Sequence, residues 1–226
     1  MRGRVVVVSG IDTGVGKTVV TGLLGAALAR QGCRVVTQKL VQTGCAGPVA
    51  DDVVEHRRLM GMALLDVDVD GTTSPYCFPM PASPHLAAAV AGEAVDLFRL
   101  RRLTLLLQKG YDVVLVEGAG GLLVPLAADV LLANYVRDAS YPLVLVSSSR
   151  LGSINQTLLS IEACRHRGIA LRGVVYNCFE QQDPRIVADT REVLAHYLLK
   201  YGYRVPVVGL EGGRFDAGVE ELLLSL

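Results

Sequence analysis

The chain has 226 residues, 51% of them apolar, which is enough for one domain with a substantial core. Lys+Arg and Asp+Glu balance at 22 each, so no bulk field marks a partner such as nucleic acid or an anionic membrane. Five cysteines at 33, 45, 77, 164 and 178, without a CxxC pair, suit reduced thiols, and no apolar run approaches a membrane span; the expectation is a soluble cytoplasmic protein.

In chain order, short β-branched runs predict strands at 5–9, 34–38, 113–117, 143–147 and 173–177, with a weaker one at 205–208. Helices are expected to begin at Gly16, near Asp51, Pro84, Asp96, Asp129 and Ile154, and at Pro184, with a last one over 216–224. Several strands are uniformly apolar, as they are when both faces are covered. The Pro-rich stretch 74–84 reads as an irregular loop leading into a helix. The predicted fold is α/β, a doubly wound, mostly parallel sheet with helices on both faces forming a single domain over 1–226, and the glycine-rich GIDTGVGKT at 10–18 makes it of the P-loop NTPase type.

GIDTGVGKT at 10–18 sits directly behind the first strand. A strand, a glycine-rich turn and a helix bring backbone N–H groups and the positive end of a helix dipole to one point, which makes a phosphate cradle. Lys17 is placed to reach the terminal phosphates and the Thr18 hydroxyl to ligate magnesium. The usual pattern separates its first glycine from the Gly-Lys pair by four residues. Here five residues, 11–15, separate Gly10 from Gly16, so the loop is either lengthened by one or has Ile11 in place of its first glycine.

Ligands of open α/β sheets bind beyond the carboxyl ends of the strands. Residues expected at that edge are Lys39 with Gln42, Thr43 and Gly44; Glu117 with GAGG at 118–121; SSS at 147–149 with GSIN at 152–155; and Asn177. Glu117 is read as a metal carboxylate rather than a solvated strand end. Asp51 and Asp52 begin a helix, where one of them reads either as its N-cap or as part of a pair supplying a second magnesium ligand. Lys39, one of only four lysines, either offsets charge at the phosphates or is a solvated surface residue. Residues 118–121 read as a mobile turn whose glycines also permit close approach of backbone to a ligand. Residues 152–155 read first as an ordinary helix start, with carboxylate binding through free N–H groups as the alternative. The histidines at 56, 85, 166 and 196 show no metal spacing, and neither they nor Cys45 are given a role.

Taken together these segments resemble the dethiobiotin synthetase family. The likeness rests on GIDTGVGKT, KLVQTG at 39–44, the Asp51-Asp52 helix start, PASPH at 81–85, VEGAGG at 116–121 running on to VPL at 124–126, and LGSIN at 151–155. The order and spacing hold from Val5 to Asn177. The resemblance implies ATP-dependent carboxylation and ring closure of 7,8-diaminononanoate with CO2 to dethiobiotin, through a carbamate and a carbamic-phosphoric anhydride. It implies ATP held by Asp12, Gly14, Val15, Gly16, Lys17, Thr18 and Val19, with Asn177 at the adenine edge. Mg2+ would be held by Thr18, Asp52 (or Asp51) and Glu117. Lys17, Lys39 and Thr13 would serve catalysis, and Thr13, Lys39, Thr43 and Gly118 would meet the diamine or its carbamate. Gly152, Ser153, Ile154 and Asn155 would hold the substrate carboxylate across a homodimer interface. Leu40 departs from the family's proline, Gly14 stands where some members are acidic, and Gly212 replaces a proline near the base. The rival readings are a ParA/MinD-like switch ATPase and a non-catalytic regulatory module of the same fold.

Overall fold

The structure, a computed structural model, describes residues 3–45, 47–179 and 183–226. The first half of the chain runs through β1 (Arg4–Gly10), α1 (Lys17–Arg30), β2 (Val35–Lys39), β3 (Gln42–Thr43), α2 (Asp51–Met60), α3 (Asp66–Val69), β4 (Cys77–Phe78), α4 (Pro84–Val90) and α5 (Leu97–Gly110). It continues with β5 (Val113–Gly121), β6 (Pro125–Ala127), β7 (Val130–Leu131), α6 (Leu132–Asp138), β8 (Leu143–Ser148) and α7 (Ser153–Arg167). The last elements are β9 (Leu171–Cys178), α8 (Pro184–Lys200), β10 (Val207–Glu211), β11 (Arg214–Phe215) and α9 (Val219–Ser225).

The main sheet has seven strands in the order β11-β10-β9-β8-β1-β5-β2. All its neighbours pair parallel except β11, which returns antiparallel on β10. β1 therefore lies between β5 and β8, and the chain crosses from one side of it to the other after β5. That crossing opens a crevice at the carboxyl end of β1.

The valine run of β1 divides by period two. Val5 and Val7 join a core beneath α5, α6, α7 and α8, whereas Val6 and Val8 join a second core beneath α1 and α9. Val114 and Val116 of β5 face the first core, and Val113 and Leu115 the second. Uniformly apolar strands are thus the direct result of covering the sheet on both faces. α2 packs close to α1, because a β-carbon on Gly22 would stand 2.7 Å from Leu59 Cδ1 and 3.3 Å from the His56 Cα. Among the described residues no helix is long and apolar enough to cross a membrane.

Three expectations change. Residues 118–121 are the end of β5 and not a turn: after a register shift between Val8 and Gly10, Gly10 pairs with Gly121. The two backbones run close there, since a β-carbon on Gly121 would come 3.3 Å from the Ile11 carbonyl oxygen. The helix expected near Asp129 begins at Leu132, since Asp129 occupies the turn between antiparallel β6 and β7. The last parallel strand is 207–211 rather than 205–208. Pro206 offers no N–H, and its carbonyl accepts from Val174 N at 3.0 Å just before the pairing starts.

Candidate active site

The phosphate loop is fastened to both neighbours of β1. Ile11 N donates to Val146 O at 3.0 Å, and Leu122 N donates to Gly10 O at 3.1 Å. Gly14 (φ 72°) and Gly16 (φ 93°) take left-handed conformations, which turn the chain into α1 with Gly16 as its N-cap. Thr13 N donates to Asp12 Oδ1 at 2.7 Å, and Lys17 Nζ donates to the Asp12 carbonyl at 2.8 Å. Asn177, at the end of β9, donates its Nδ2 to Val15 O at 3.0 Å.

Lys39 is the centre of the next cluster. Its Nζ lies 2.6 Å from Asp52 Oδ2 and 2.8 Å from Glu117 Oε1, and donates to Gly118 O at 3.1 Å. Thr18 Oγ1 donates to the same Glu117 Oε1 at 3.1 Å. Burial alone would drive the Lys39 ammonium towards neutrality, but the Glu117 and Asp52 carboxylates outweigh it and hold the group above the ordinary lysine range. Burial likewise raises Glu117, and the charge of Lys39 with the His56 contact overcomes it, leaving the carboxyl well below its usual range. Lys17 has no such partner: burial, reinforced by the neighbouring Lys39 charge, pushes it down to about 8.

One cavity of about 410 Å3 is lined by Thr13, Gly14, Gly16, Lys17, Thr18, Val19, Lys39, Thr43, Asp52 and Glu117, together with Gln42 and Gly120. Of the adjacent acids, Asp52 faces this cavity while Asp51 is exposed at the start of α2. The helix phase thus turns only the second of the two carboxylates towards the phosphate loop. Gly118 contributes its carbonyl to Lys39; in the side-chain direction it is closed by Leu132, whose Cδ2 would lie 2.5 Å from a β-carbon. Gln42 Oε1 is buried without a hydrogen-bond partner.

Gly152, Ser153 and Ile154 line a separate cleft of about 340 Å3 with Arg150, Arg185 and Thr190. Gly152 (φ 92°) starts α7, and among the described residues no side chain caps that helix, although the Ser153 N–H is taken by the Arg150 carbonyl at 3.1 Å. Asn155 is exposed on the same turn, and Leu151 before it is fully exposed. The structure thus brings the loop, Lys39, Asp52 and Glu117 together, and leaves 152–155 at a distinct opening.

Among the described residues no group of three or more His, Cys, Asp or Glu could hold a metal alone. Two carboxylates and a hydroxyl around one edge of the cavity are a hard, all-oxygen set. They suit Mg2+, which completes its shell with phosphate oxygens and water, and do not suit zinc.

His56 is the residue that the sequence reading passed over. It is fully buried and its Nε2 is 2.7 Å from Glu117 Oε2. The available signal was its spacing from Asp52: four residues along α2 put both on one helix face.

A family model described as an AAA domain matches residues 4–210. The ATP-dependent dethiobiotin synthetase of Chlorobaculum tepidum is 59% identical over 218 residues, 96% of this chain and 91% of that protein. A second such synthetase, from Haemophilus influenzae, is 48% identical over 82% of this chain and 96% of its own length. Among solved structures, a ParA family ATPase from Chlorobium tepidum superposes with a TM-score of 0.54 at 15% identity, covering 98% of this chain and 90% of that one. The signal recognition particle receptor FtsY of Elizabethkingia anophelis, in complex with GDP, gives a TM-score of 0.55 at 17% identity, covering 100% of this chain and 64% of that one. Those two likenesses establish the P-loop NTPase fold alone, whereas identity over nearly the whole length, on a chain whose loop and carboxylates converge as described, is decisive for family: the chain belongs to the dethiobiotin synthetase family.

Proposed function

We propose that the chain uses ATP to carboxylate 7,8-diaminononanoate and close it to dethiobiotin, releasing ADP and phosphate. One amine takes up CO2 and loses a proton to become a carbamate. A carbamate oxygen then forms a bond to the γ-phosphorus as the bond to ADP breaks. The second amine attacks the carbonyl carbon, loses a proton and expels phosphate, closing the cyclic urea. No covalent enzyme intermediate is needed.

Each side chain has a physical task. Residues 12–19 cradle the phosphates through backbone N–H groups and the dipole of α1. Lys17 and Lys39 offset negative charge that grows between the carbamate and the γ-phosphate. Thr18, Asp52 and Glu117 would hold Mg2+, which supplies charge neutralisation and a template for the phosphate oxygens. Thr13 and Thr43 flank the cavity where the diamine or carbamate would lie, with Gly118 fixing Lys39 through its carbonyl. Asn177 stands where the adenine edge would approach. A second copy of the chain would bring Gly152, Ser153, Ile154 and Asn155 to the substrate carboxylate, so the working unit is a homodimer. Five free thiols suit a reducing, cytoplasmic setting.

The observation that carries this reading is Lys39. Its ammonium is buried at the strand end beside the phosphate loop, kept charged by Glu117 and Asp52, and it lines the same cavity as Lys17 and Thr18. Incubation with diaminononanoate, bicarbonate, Mg2+ and ATP should yield dethiobiotin, detected by mass. ATP hydrolysis stimulated only by a macromolecular partner, with no such product, would favour a switch ATPase instead.

A further inference from the structure

The two carboxylate oxygens of Glu117 have different surroundings. Oε1 faces Thr18 and Lys39 at the cavity, and Oε2 turns inward to His56 Nε2 at 2.7 Å. His56 Nδ1 is in turn 3.0 Å from Thr37 Oγ1. Arg57 Nη1 also donates to that hydroxyl oxygen, at 2.9 Å, and the Arg57 guanidinium is gripped by both oxygens of Asp68 at 2.8 and 2.7 Å. Asp68 further accepts from the Thr73 hydroxyl and the Leu65 N–H. His56, Thr37, Asp68 and Thr73 are all fully buried, and Arg57 nearly so.

The direction of these bonds follows from what each group can do. Arginine only donates, so it occupies a lone pair of Thr37 Oγ1. The Glu117 carboxylate only accepts, so His56 donates to it from a protonated Nε2. In the neutral ring Nδ1 is then an acceptor, which the Thr37 hydroxyl hydrogen meets. The spacing is commensurate as well. Thr37 and Lys39 are two apart on β2, roughly 6.6 Å, and His56 and Asp52 are four apart on α2, roughly 6 Å. Two rungs therefore cross between β2 and α2, one linking Lys39 to Asp52 and the other Thr37 to His56.

We infer that His56 is a positioning residue for the nucleotide's cation: by holding Oε2 of Glu117 from the interior, it keeps Oε1 turned to the cavity. A leucine there would fill similar space, but would leave Oε2 buried without a donor and free to rotate the carboxylate. The inference rests on Glu117 being a ligand of that cation. It adds a tautomer-setting relay, from Arg57 and Thr37 through His56, that lies outside the cavity itself.

The test uses Mn2+ as the probe, with its binding to the protein–ADP complex followed by electron paramagnetic resonance. His56→Leu should weaken Mn2+ binding about 10- to 100-fold, in the range that loss of an outer-shell partner costs. Metal-free ADP binding should stay within about threefold of wild type, since no phosphate contact changes. His56→Gln, whose amide nitrogen can donate along the same line, should recover most of the loss. Wild-type Mn2+ affinity in a folded His56→Leu protein overturns the inference, because a purely structural histidine would change the melting temperature alone. If His56→Leu does not fold, Thr37→Val carries the test. It replaces the hydroxyl with a methyl, taking away the partner of His56 Nδ1 and one acceptor of Arg57, and an unchanged Mn2+ affinity there overturns the relay. Glu117→Gln separates the two levels: full Mn2+ binding in that variant removes Glu117 as a ligand and the inference with it, whereas its loss beside an unaffected His56→Leu sinks His56 alone.

Discussion

Asn177 Nδ2 donates to the Val15 carbonyl at 3.0 Å, tying the end of β9 to the phosphate loop across 162 positions of chain. The same amide fills the space in front of Gly16, where any β-carbon would collide with it. Asn177→Ala should therefore loosen the cradle. A buried hydrogen bond is worth about 0.5–1.5 kcal/mol, so affinity for ADP should fall by up to about tenfold in calorimetry. The bracing role predicts a similar loss for GDP; a loss confined to ADP would assign the residue to the base alone.

Lys39→Gln should remove the ammonium while keeping a polar chain of similar length. Turnover should drop by about 100- to 1000-fold, the scale expected when a donor to developing charge is lost. Nucleotide affinity should change far less, because the phosphate loop is intact. Wild-type turnover in a folded variant would remove Lys39 from the chemistry.

Lys17 gives a pH dependence with a definite sign. Its conjugate acid is depressed to about 8, so the free protein loses this charge as pH rises through that value. Bound phosphates favour the charged form. Nucleotide affinity should then weaken as pH rises above about 8, and binding there should take up protons, visible as a buffer-dependent calorimetric enthalpy. Folding responds in the opposite sense: from about 8 up to the unfolded lysine range the unfolded chain binds more protons, so this group's cost to stability is relieved as pH rises.

The buried Arg57–Asp68 pair should dominate stability behind the site. Removing one partner leaves an uncompensated buried charge, and Asp68→Ala should cost about 3–5 kcal/mol in urea unfolding. Burial raises the Asp68 carboxyl, but bonds from Arg57, Leu65 and Thr73 bring it below its usual range. Its contribution is present above the unfolded carboxylate range and is lost as pH falls through the lower folded value. Urea unfolding of wild type should therefore show this contribution falling away progressively from the ordinary aspartate range downwards, a fall that Asp68→Asn lacks.

Leu151 is fully exposed at the mouth of the second cleft, with Ile186 and Phe179 also exposed. Leu151→Asp should shift a dimer to monomer in sedimentation velocity. It should raise the KM for the diamine while leaving ADP binding close to wild type. A strictly monomeric, fully active wild-type protein would take 152–155 out of the shared site.

How far the sequence could be read depended on the range of the interaction concerned. The strands, the phosphate loop and the LGSIN helix start are set by neighbours within a few residues: β-branched runs, glycines in left-handed conformations, polar residues where a helix begins. Those were legible. So was the family, because GIDTGVGKT, VEGAGG and LGSIN recur in order. The glycines after Glu117 misled locally, since glycine usually marks a turn. Only the pairing of Gly10 with Gly121 shows that here glycine keeps a strand going beside the phosphate loop.

That Asp52 rather than Asp51 faces the cavity, and that His56 meets Glu117, were decided by tertiary structure. Both depend on the rotation of α2 against β2, and that rotation follows from Gly22 of α1, which admits Leu59 and His56 at close range. A lone histidine among scattered others carries little local signal beyond its four-residue spacing from Asp52. It becomes meaningful only when β5, 61 residues away in sequence, places Glu117 Oε2 against its ring. The sequence by itself determined the phosphate cradle and the family, because both rest on short-range backbone chemistry. The folded structure alone decided which buried polar groups meet, because a desolvated charge finds its partner through packing and not through spacing along the chain.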